Sequence, residues 1–223
     1  LMIRNSSHGE FMVLIQFFKE NKAQREALLE HLKKYFDITS LLYCINSKAN
    51  DTLYDQEIIC YDGKTFIMEE MEGLNFKINA KSFFQTNTEQ AYELYKITRD
   101  FAGLEGKELV YDLYTGTGTI AQFIAKDCNR VVGVESVPEA IEAANTNAKE
   151  NGIKNAFFEV GDMRRVFNQD FINRHGKANV VIADPPRNGM HPAVVKQLLF
   201  LQPEKIVYVS CNPSTQARDL FLM

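Results

Sequence analysis

Glu108-Leu109-Val110-Tyr111-Asp112-Leu113-Tyr114-Thr115-Gly116-Thr117-Gly118-Thr119 is the stretch that decides the fold. It opens as a short apolar run, which predicts a buried strand over 108–113. It then crosses two glycines and enters a helix over 119–126. Small residues at such a turn let the backbone approach a ligand closely, and the helix start offers unpaired N–H groups. The same rhythm continues outward. A helix is expected over 88–101. Beyond the motif come a strand over 130–135, a helix over 137–151 and a strand over 156–160. A strand over 179–183, a helix over 191–201 and a strand over 205–210 follow. Five strands alternating with helices predict an α/β fold with a parallel, doubly wound, Rossmann-like sheet.

Residues 1–80 read differently. A buried strand over 10–18 precedes a helix over 22–36, on which Ala23, Ala27, Leu28, Leu32 and Phe36 can share one face. A strand over 40–45 is followed by short strands near 57–60, 66–68 and 75–78, separated by Asp62-Gly63 and Glu72-Gly73 turns. The expected organisation is therefore a small α+β subdomain over 1–80 and an α/β domain over 81–223.

The 223 residues suit one large domain or two small ones. At 45% hydrophobic and 24% charged residues the composition is that of a soluble globular protein. The longest apolar stretches are far short of a membrane span, so no membrane partner is expected. The opening Leu1-Met2-Ile3-Arg4 leads into polar residues rather than a signal-peptide core, and Met2 is not first. A piece of a longer cytoplasmic protein is the expectation, with no obligate protein partner inferred. The net charge is −4 and neither part carries a basic excess. A nucleic-acid substrate would thus need a local patch or a further segment. Cys44, Cys60, Cys128 and Cys211 form no Cys-x-x-Cys pair, which favours reduced thiols and no metal site.

In open α/β sheets ligands gather at the carboxyl ends of the strands, and here those ends are polar. Asp112, Glu135 and Asp162 end three successive strands, Asp184-Pro185-Pro186-Arg187 ends the fourth, and Cys211 follows the fifth. Glu135 suits the hydroxyls of a ribose, and Asp162 can reach an adenine edge. Asp112 stands before the glycines, where it would repel a pyrophosphate but attract an ammonium group. S-adenosylmethionine therefore fits better than NAD. The plainer readings are tight packing for the glycines, a solvated strand end for Glu135, an ordinary turn for the proline pair and a small buried hydrophobe for Cys211. Cys211, however, meets Asn212-Pro213, with Arg218 seven residues on. A nearby cation or helix start would favour a thiolate able to act as a covalent catalyst. A methyl donor paired with a nucleophilic thiol has a specific logic. C5 of a pyrimidine becomes nucleophilic once a thiolate adds at C6, and the base must be unstacked to reach the site.

From Lys81 to Leu220 the motifs resemble the RNA uracil-5-methyltransferases, which make 5-methyluridine in ribosomal or transfer RNA. The resemblance runs through Ser82-Phe83-Phe84-Gln85-Thr86-Asn87, the glycine stretch, Val132-Gly133-Val134-Glu135, Asp184-Pro185-Pro186-Arg187-Asn188-Gly189 and Tyr208-Val209-Ser210-Cys211-Asn212-Pro213-Ser214-Thr215-Gln216-Ala217-Arg218-Asp219. It implies that Gln85, Tyr114, Gly116, Gly118, Thr119, Glu135, Asp162 and Asp184 bind S-adenosylmethionine and its product S-adenosylhomocysteine. It implies Cys211 as the nucleophile and an RNA substrate, with 23S ribosomal RNA expected. Three features of the family are not found in this sequence: an amino-terminal RNA-binding barrel, the iron–sulfur cysteine cluster of some members, and the downstream glutamate that removes the C5 proton, expected beyond Met223. Competing readings are a transfer-RNA uracil-5-methyltransferase, an RNA cytosine-5-methyltransferase, an amino-group methyltransferase using the Asp-Pro-Pro turn, and a non-catalytic cofactor- or RNA-binding module. Arg187 counts against the amino-group reading, because an aromatic normally follows that turn. Arg187 and Arg218 are candidates for RNA contact or for structural ion pairs.

Overall fold

Short apolar runs bounded by glycine turns build residues Leu1–Thr88, one of two compact units; the other is Glu89–Met223. The structure, a computed structural model, describes every residue except Ala49, Asp51 and Tyr54. In the first unit β1 (Met2–Asn5), β2 (Phe11–Phe17), β3 (Ser40–Ile45) and β4 (Ile59–Gly63) form one sheet in that order. β2 and β3 run parallel across α1 (Lys22–Tyr35), and the other pairs are antiparallel. β5 (Phe66–Met71) and β6 (Leu74–Asn79) make a hairpin whose Glu72-Gly73 turn is left-handed at both residues, as a tight two-residue loop requires. Met12, Leu14 and Leu42 pack with Ile67 and Ile78 on one face of the sheet, and Val13 and Leu41 pack with Leu29 of α1 on the other.

Two expectations for this unit are corrected. The face of α1 that meets the sheet is not the one containing Ala27, Leu28 and Phe36. Leu28 and Phe36 are 41% and 60% exposed, whereas Leu29 is fully buried and Leu32 packs beside it. The apolar spacing admits two overlapping stripes, and contact with Val13 and Leu41 selects one. β1 was not anticipated, because four residues with two polar members give too short an alternation to read.

The second unit opens with α2 (Thr88–Ala102), which starts one residue before it. β7 (Leu109–Leu113), α3 (Thr119–Ile124) with a tight turn after it, β8 (Arg130–Glu135), α4 (Pro138–Glu150) and β9 (Ala156–Val160) come next. Then follow α5 (Met163–Val166), α6 (Gln169–His175), β10 (Val180–Ala183), α7 (Pro192–Leu201), β11 (Lys205–Tyr208) and α8 (Pro213–Phe221). The strands form a five-stranded, all-parallel sheet in the order β11-β10-β7-β8-β9. β7, β8 and β10 are almost wholly buried, while edge strands β9 and β11 are only partly so. This is the pattern of a sheet covered on both faces. The core stacks Tyr111 against Phe167 and Phe171 in edge-to-face contacts, with Leu113, Val181 and Leu198 around them.

The expected α/β doubly wound sheet is therefore present, and all five strands were anticipated. Three helices were not. α5 and α6 are short and begin at side-chain caps, Asp162 and Asn168. α8 begins at Asn212-Pro213, after which no element was assigned. Asn212 caps it by accepting from the Ser214 amide at 3.1 Å, and Pro213 takes the first turn, where its missing N–H costs nothing. Asn-Pro is a helix start here, not a stop.

Candidate functional site

The strand order reverses between β7 and β10, and the crevice of a doubly wound sheet opens at such a point. Asp112 and Asp184 end these two neighbouring strands, and the Asp184 amide donates to the Leu113 carbonyl at 3.3 Å. The two carboxylates differ. Asp112 is 1% exposed. Its Oδ2 accepts from the Thr115 hydroxyl at 2.5 Å and from the Ala121 amide in the first turn of α3 at 3.1 Å. Its Oδ1 is buried without a partner. Burial pushes its carboxyl up to about 7 despite the Thr115 hydrogen bond. Asp112 thus ties the glycine loop to the helix that follows it. The expectation that it meets a ligand ammonium directly is corrected, since it faces the interior. Asp184 is half-buried, its carboxylate has no hydrogen-bond or ion-pair partner among the described residues, and it is pushed up to about 6 by burial alone.

The glycine loop is conformationally demanding. Tyr114 is left-handed at φ 65°, uncommon for a residue with a bulky side chain and frequent at sites. Gly116 and Gly118 are left-handed as well, for different reasons. A Cβ on Gly118 would meet Phe158 at 2.7 Å and Ala144 at 2.9 Å, whereas one on Gly116 would stand in open space. Gly118 therefore serves packing, as the plainer reading held, and Gly116 leaves room. Thr119 is buried, its hydroxyl 3.3 Å from that of Thr117. Glu135 gathers loop donors: the Gly116 amide at 3.2 Å, the Ser136 amide at 2.6 Å and the Val137 amide at 3.1 Å.

A cleft of about 560 Å3 opens among the loops after β7, β9 and β10, lined in part by Tyr114, Asp162, Arg164, Pro186, Met190 and Arg218. Burial pushes the Tyr114 phenol up to about 12. Asp162 caps α5 and is paired with Arg164, whose guanidinium holds its carboxyl down at about 2. Of the expected cofactor residues, Tyr114 and Asp162 line this cleft. Gly116, Gly118, Thr119, Glu135 and Asp184 stand at the same strand ends without lining it. Gln85 lies in the first unit, half-buried in the segment that follows β6 along the chain.

Cys211 is exposed, three residues beyond β11, and does not line the cleft. Its backbone surroundings are nonetheless fixed. The Val209 amide continues the ladder to the Ala183 carbonyl at 2.9 Å. Asn212 Nδ2 and Thr215 Oγ1 both donate to the Arg187 carbonyl, at 3.1 and 3.2 Å. The cysteine loop and the Asp184-Pro185-Pro186-Arg187 loop are thus one hydrogen-bonded edge. Arg218 is a structural residue. It pairs with Asp219 at 2.6 Å and donates to the Asn188 and Met190 carbonyls. It is not a free cation for the thiol, contrary to one expectation. The Arg187 side chain is exposed and has no partner among the described residues, so it stays available for contact.

Sequence reasoning gave no role of their own to Asp219, Asn212, Thr215 and Arg164. Asp219 is fully buried and accepts from the Met190 amide at 2.6 Å and the Tyr208 hydroxyl at 2.7 Å. Burial alone would raise its carboxyl, but these donors with Arg218 hold it below the usual range. The available signal was the Arg218-Asp219 pair on one helix, which does not reveal burial.

Residues 8–222 match the family described as tRNA (uracil-5-)-methyltransferase. An uncharacterized RNA methyltransferase of Porphyromonas gingivalis is 60% identical over all of this chain and 48% of its own length. Another, of Bacteroides thetaiotaomicron, is 56% identical over all of this chain and 50% of its own length. The crystal structure of Pyrococcus abyssi tRNA (uracil-54, C5)-methyltransferase in complex with S-adenosyl-L-homocysteine superposes with a TM-score of 0.81 at 35% identity. It covers 99% of this chain and 52% of that one. The chain belongs to the tRNA (uracil-5-)-methyltransferase family and spans about half the length of the relatives it matches. Among the described residues no helix is long and apolar enough to cross a membrane.

Proposed function

We propose that this chain carries the cofactor site and the nucleophile of an enzyme that transfers a methyl group from S-adenosylmethionine to C5 of a uridine in RNA. The observation that carries this reading is the joining of the Cys211 loop to the Asp184 loop through the Arg187 carbonyl. An exposed thiol is thereby held at the ends of the parallel strands, beside the loop of a carboxylate that has no partner of its own.

The residues fit the cofactor. Gly116 is left-handed and opens onto free space, and Asp184 offers a negative charge to an ammonium or sulfonium. Tyr114, Gly116, Glu135, Asp162 and Asp184 would hold it, with Gly118 and Thr119 shaping the loop; the role of Gln85 rests on the resemblance alone. When bound, the cofactor supplies an activated methyl group. Cys211, as a thiolate, adds to C6 of an unstacked uracil and gives C5 the electron density it lacks. Arg187 is available to a phosphate or to the base. The ribosomal substrate is the reading that the sequence resemblance supports. The second reading is transfer RNA, favoured by the likeness to the Pyrococcus abyssi tRNA (uracil-54, C5)-methyltransferase.

The test is mass spectrometry after incubation with S-adenosylmethionine and 5-fluorouridine RNA, ribosomal and transfer in separate arms. Fluorine cannot leave as a proton does, so the adduct persists whether or not a base is present. A covalent adduct on Cys211, absent in Cys211→Ser, is expected, and the RNA that forms it identifies the substrate. Binding of S-adenosylhomocysteine with no adduct on either RNA overturns the thiol mechanism.

A further inference from the structure

Asp162 would sit at the base end of the proposed cofactor, yet it does not stand alone. Its Oδ1 accepts from the Arg164 amide and from Arg164 Nε, each at 3.0 Å, and its Oδ2 accepts from the same Nε at 3.0 Å and from Arg164 Nη2 at 2.5 Å. The carboxylate is therefore clamped at three points by one residue two positions on. Both residues line the cleft. A carboxylate has about four acceptor positions; three N–H groups of Arg164 address them, with Nε shared between the two oxygens, so a further donor must approach from the side that the guanidinium leaves open.

We infer that Arg164 is a positioning residue for cofactor recognition: it locks the Asp162 carboxylate in the orientation that accepts the 6-amino group of adenine. This rests on the cofactor reading above and adds a residue to it. Three observations support it. The pair is local, so its geometry is set by the cap of α5 and not by distant packing. The pairing holds the Asp162 carboxyl down at about 2, and the group that lines the cleft is a carboxylate, purely an acceptor. The Arg164 side chain is 54% exposed, and exposed ion pairs contribute little to stability. A role in the fold alone gives a poor account of a three-point clamp inside a ligand cleft. Arg165 adds a further positive charge near Asp162, but no hydrogen bond to that carboxylate.

The test is a cycle between the protein and the ligand. Affinities for S-adenosylhomocysteine and for its analogue lacking the 6-amino group are measured by calorimetry on the wild type, Arg164→Gln and Arg164→Lys. In the wild type, removing the amino group is expected to weaken binding about tenfold, as for a hydrogen bond to a charged group. In Arg164→Gln the same removal is expected to cost about threefold or less, with Arg164→Lys between the two. General damage to the cleft weakens both ligands equally and leaves the ratio unchanged. An unchanged ratio in both variants overturns the positioning role. A wild type that binds neither ligand overturns the cofactor reading itself.

Discussion

Asn212 donates through Nδ2 to the Arg187 carbonyl at 3.1 Å, so the residue next to Cys211 holds the loop that follows β10. The same side chain caps α8 through its oxygen. One amide thus links the start of a helix to the edge of the site. Asn212→Ala is expected to lower stability by about 1 kcal/mol, the usual worth of a cap. It should lower Cys211 adduct formation by a larger factor than it lowers S-adenosylhomocysteine affinity. Chemical denaturation and adduct kinetics check the two parts.

Asp219 is the buried hub behind that edge, accepting from Tyr208, Met190 and Arg218. Asp219→Ala leaves a phenol and a guanidinium without their acceptor, and a loss of about 3 kcal/mol is expected. Because its folded carboxyl lies below the ordinary value, its contribution is present above the unfolded pKa and disappears as pH falls through the folded one. Denaturation curves at pH 7 and pH 3 should therefore show a smaller penalty for the variant in acid. An equal penalty at both values would show that the charge is not what matters.

Asp112 and Asp184 have the opposite sign. Their carboxyls are raised to about 7 and about 6, so their stabilising contribution is complete below about pH 4 and is lost as pH rises through those values. The ligand-free protein should lose stability between about pH 4 and pH 7. Asp112→Asn should flatten that slope, reducing the total loss across the range by on the order of 4 kcal/mol, whatever its effect at a single pH. Urea titrations across the range measure the slope directly, and a variant as steep as the wild type refutes the assignment.

The same titration should appear in ligand binding. Asp184 becomes a charge for the cofactor only above about pH 6, so S-adenosylhomocysteine should bind more tightly at pH 7.5 than at pH 5. Asp184→Asn should be weak at both values and nearly flat between them. Calorimetry at the two pH values decides it, and parallel pH profiles in wild type and variant would remove Asp184 from the site.

The two glycines should separate in mutation. Gly118→Ala drives a methyl into Phe158 and Ala144 in an unfavourable backbone region, and a loss of about 3 kcal/mol is expected. Gly116→Ala meets nothing and bears only the backbone cost of about 1–2 kcal/mol, yet it fills space proposed for the cofactor. Thermal shift with and without S-adenosylhomocysteine should show Gly118→Ala unstable throughout, and Gly116→Ala folded but poorly stabilised by ligand.

Much of the second unit was legible because its strands are short, largely apolar runs punctuated by polar ends. β8 and β9 fell where the sequence put them, and Glu135, Asp162 and Asp184 stand at strand ends as expected. The helices α5, α6 and α8 were not legible, since two are short and the third begins with residues that also end elements. The face of α1 was misread because spacing alone cannot choose between Leu28 and Leu29.

The sequence by itself determined the parallel α/β sheet, the glycine turn and the polar residue at each strand end, because periodicity and turn chemistry are local. Only the tertiary structure decided what those residues do there. It turned Asp112 inward, left Asp184 without a partner among the described residues, gave Arg218 to Asp219, and bound the Cys211 loop to the Arg187 carbonyl. Burial and hydrogen-bond partners are set by segments far apart in the chain, and no local pattern encodes them.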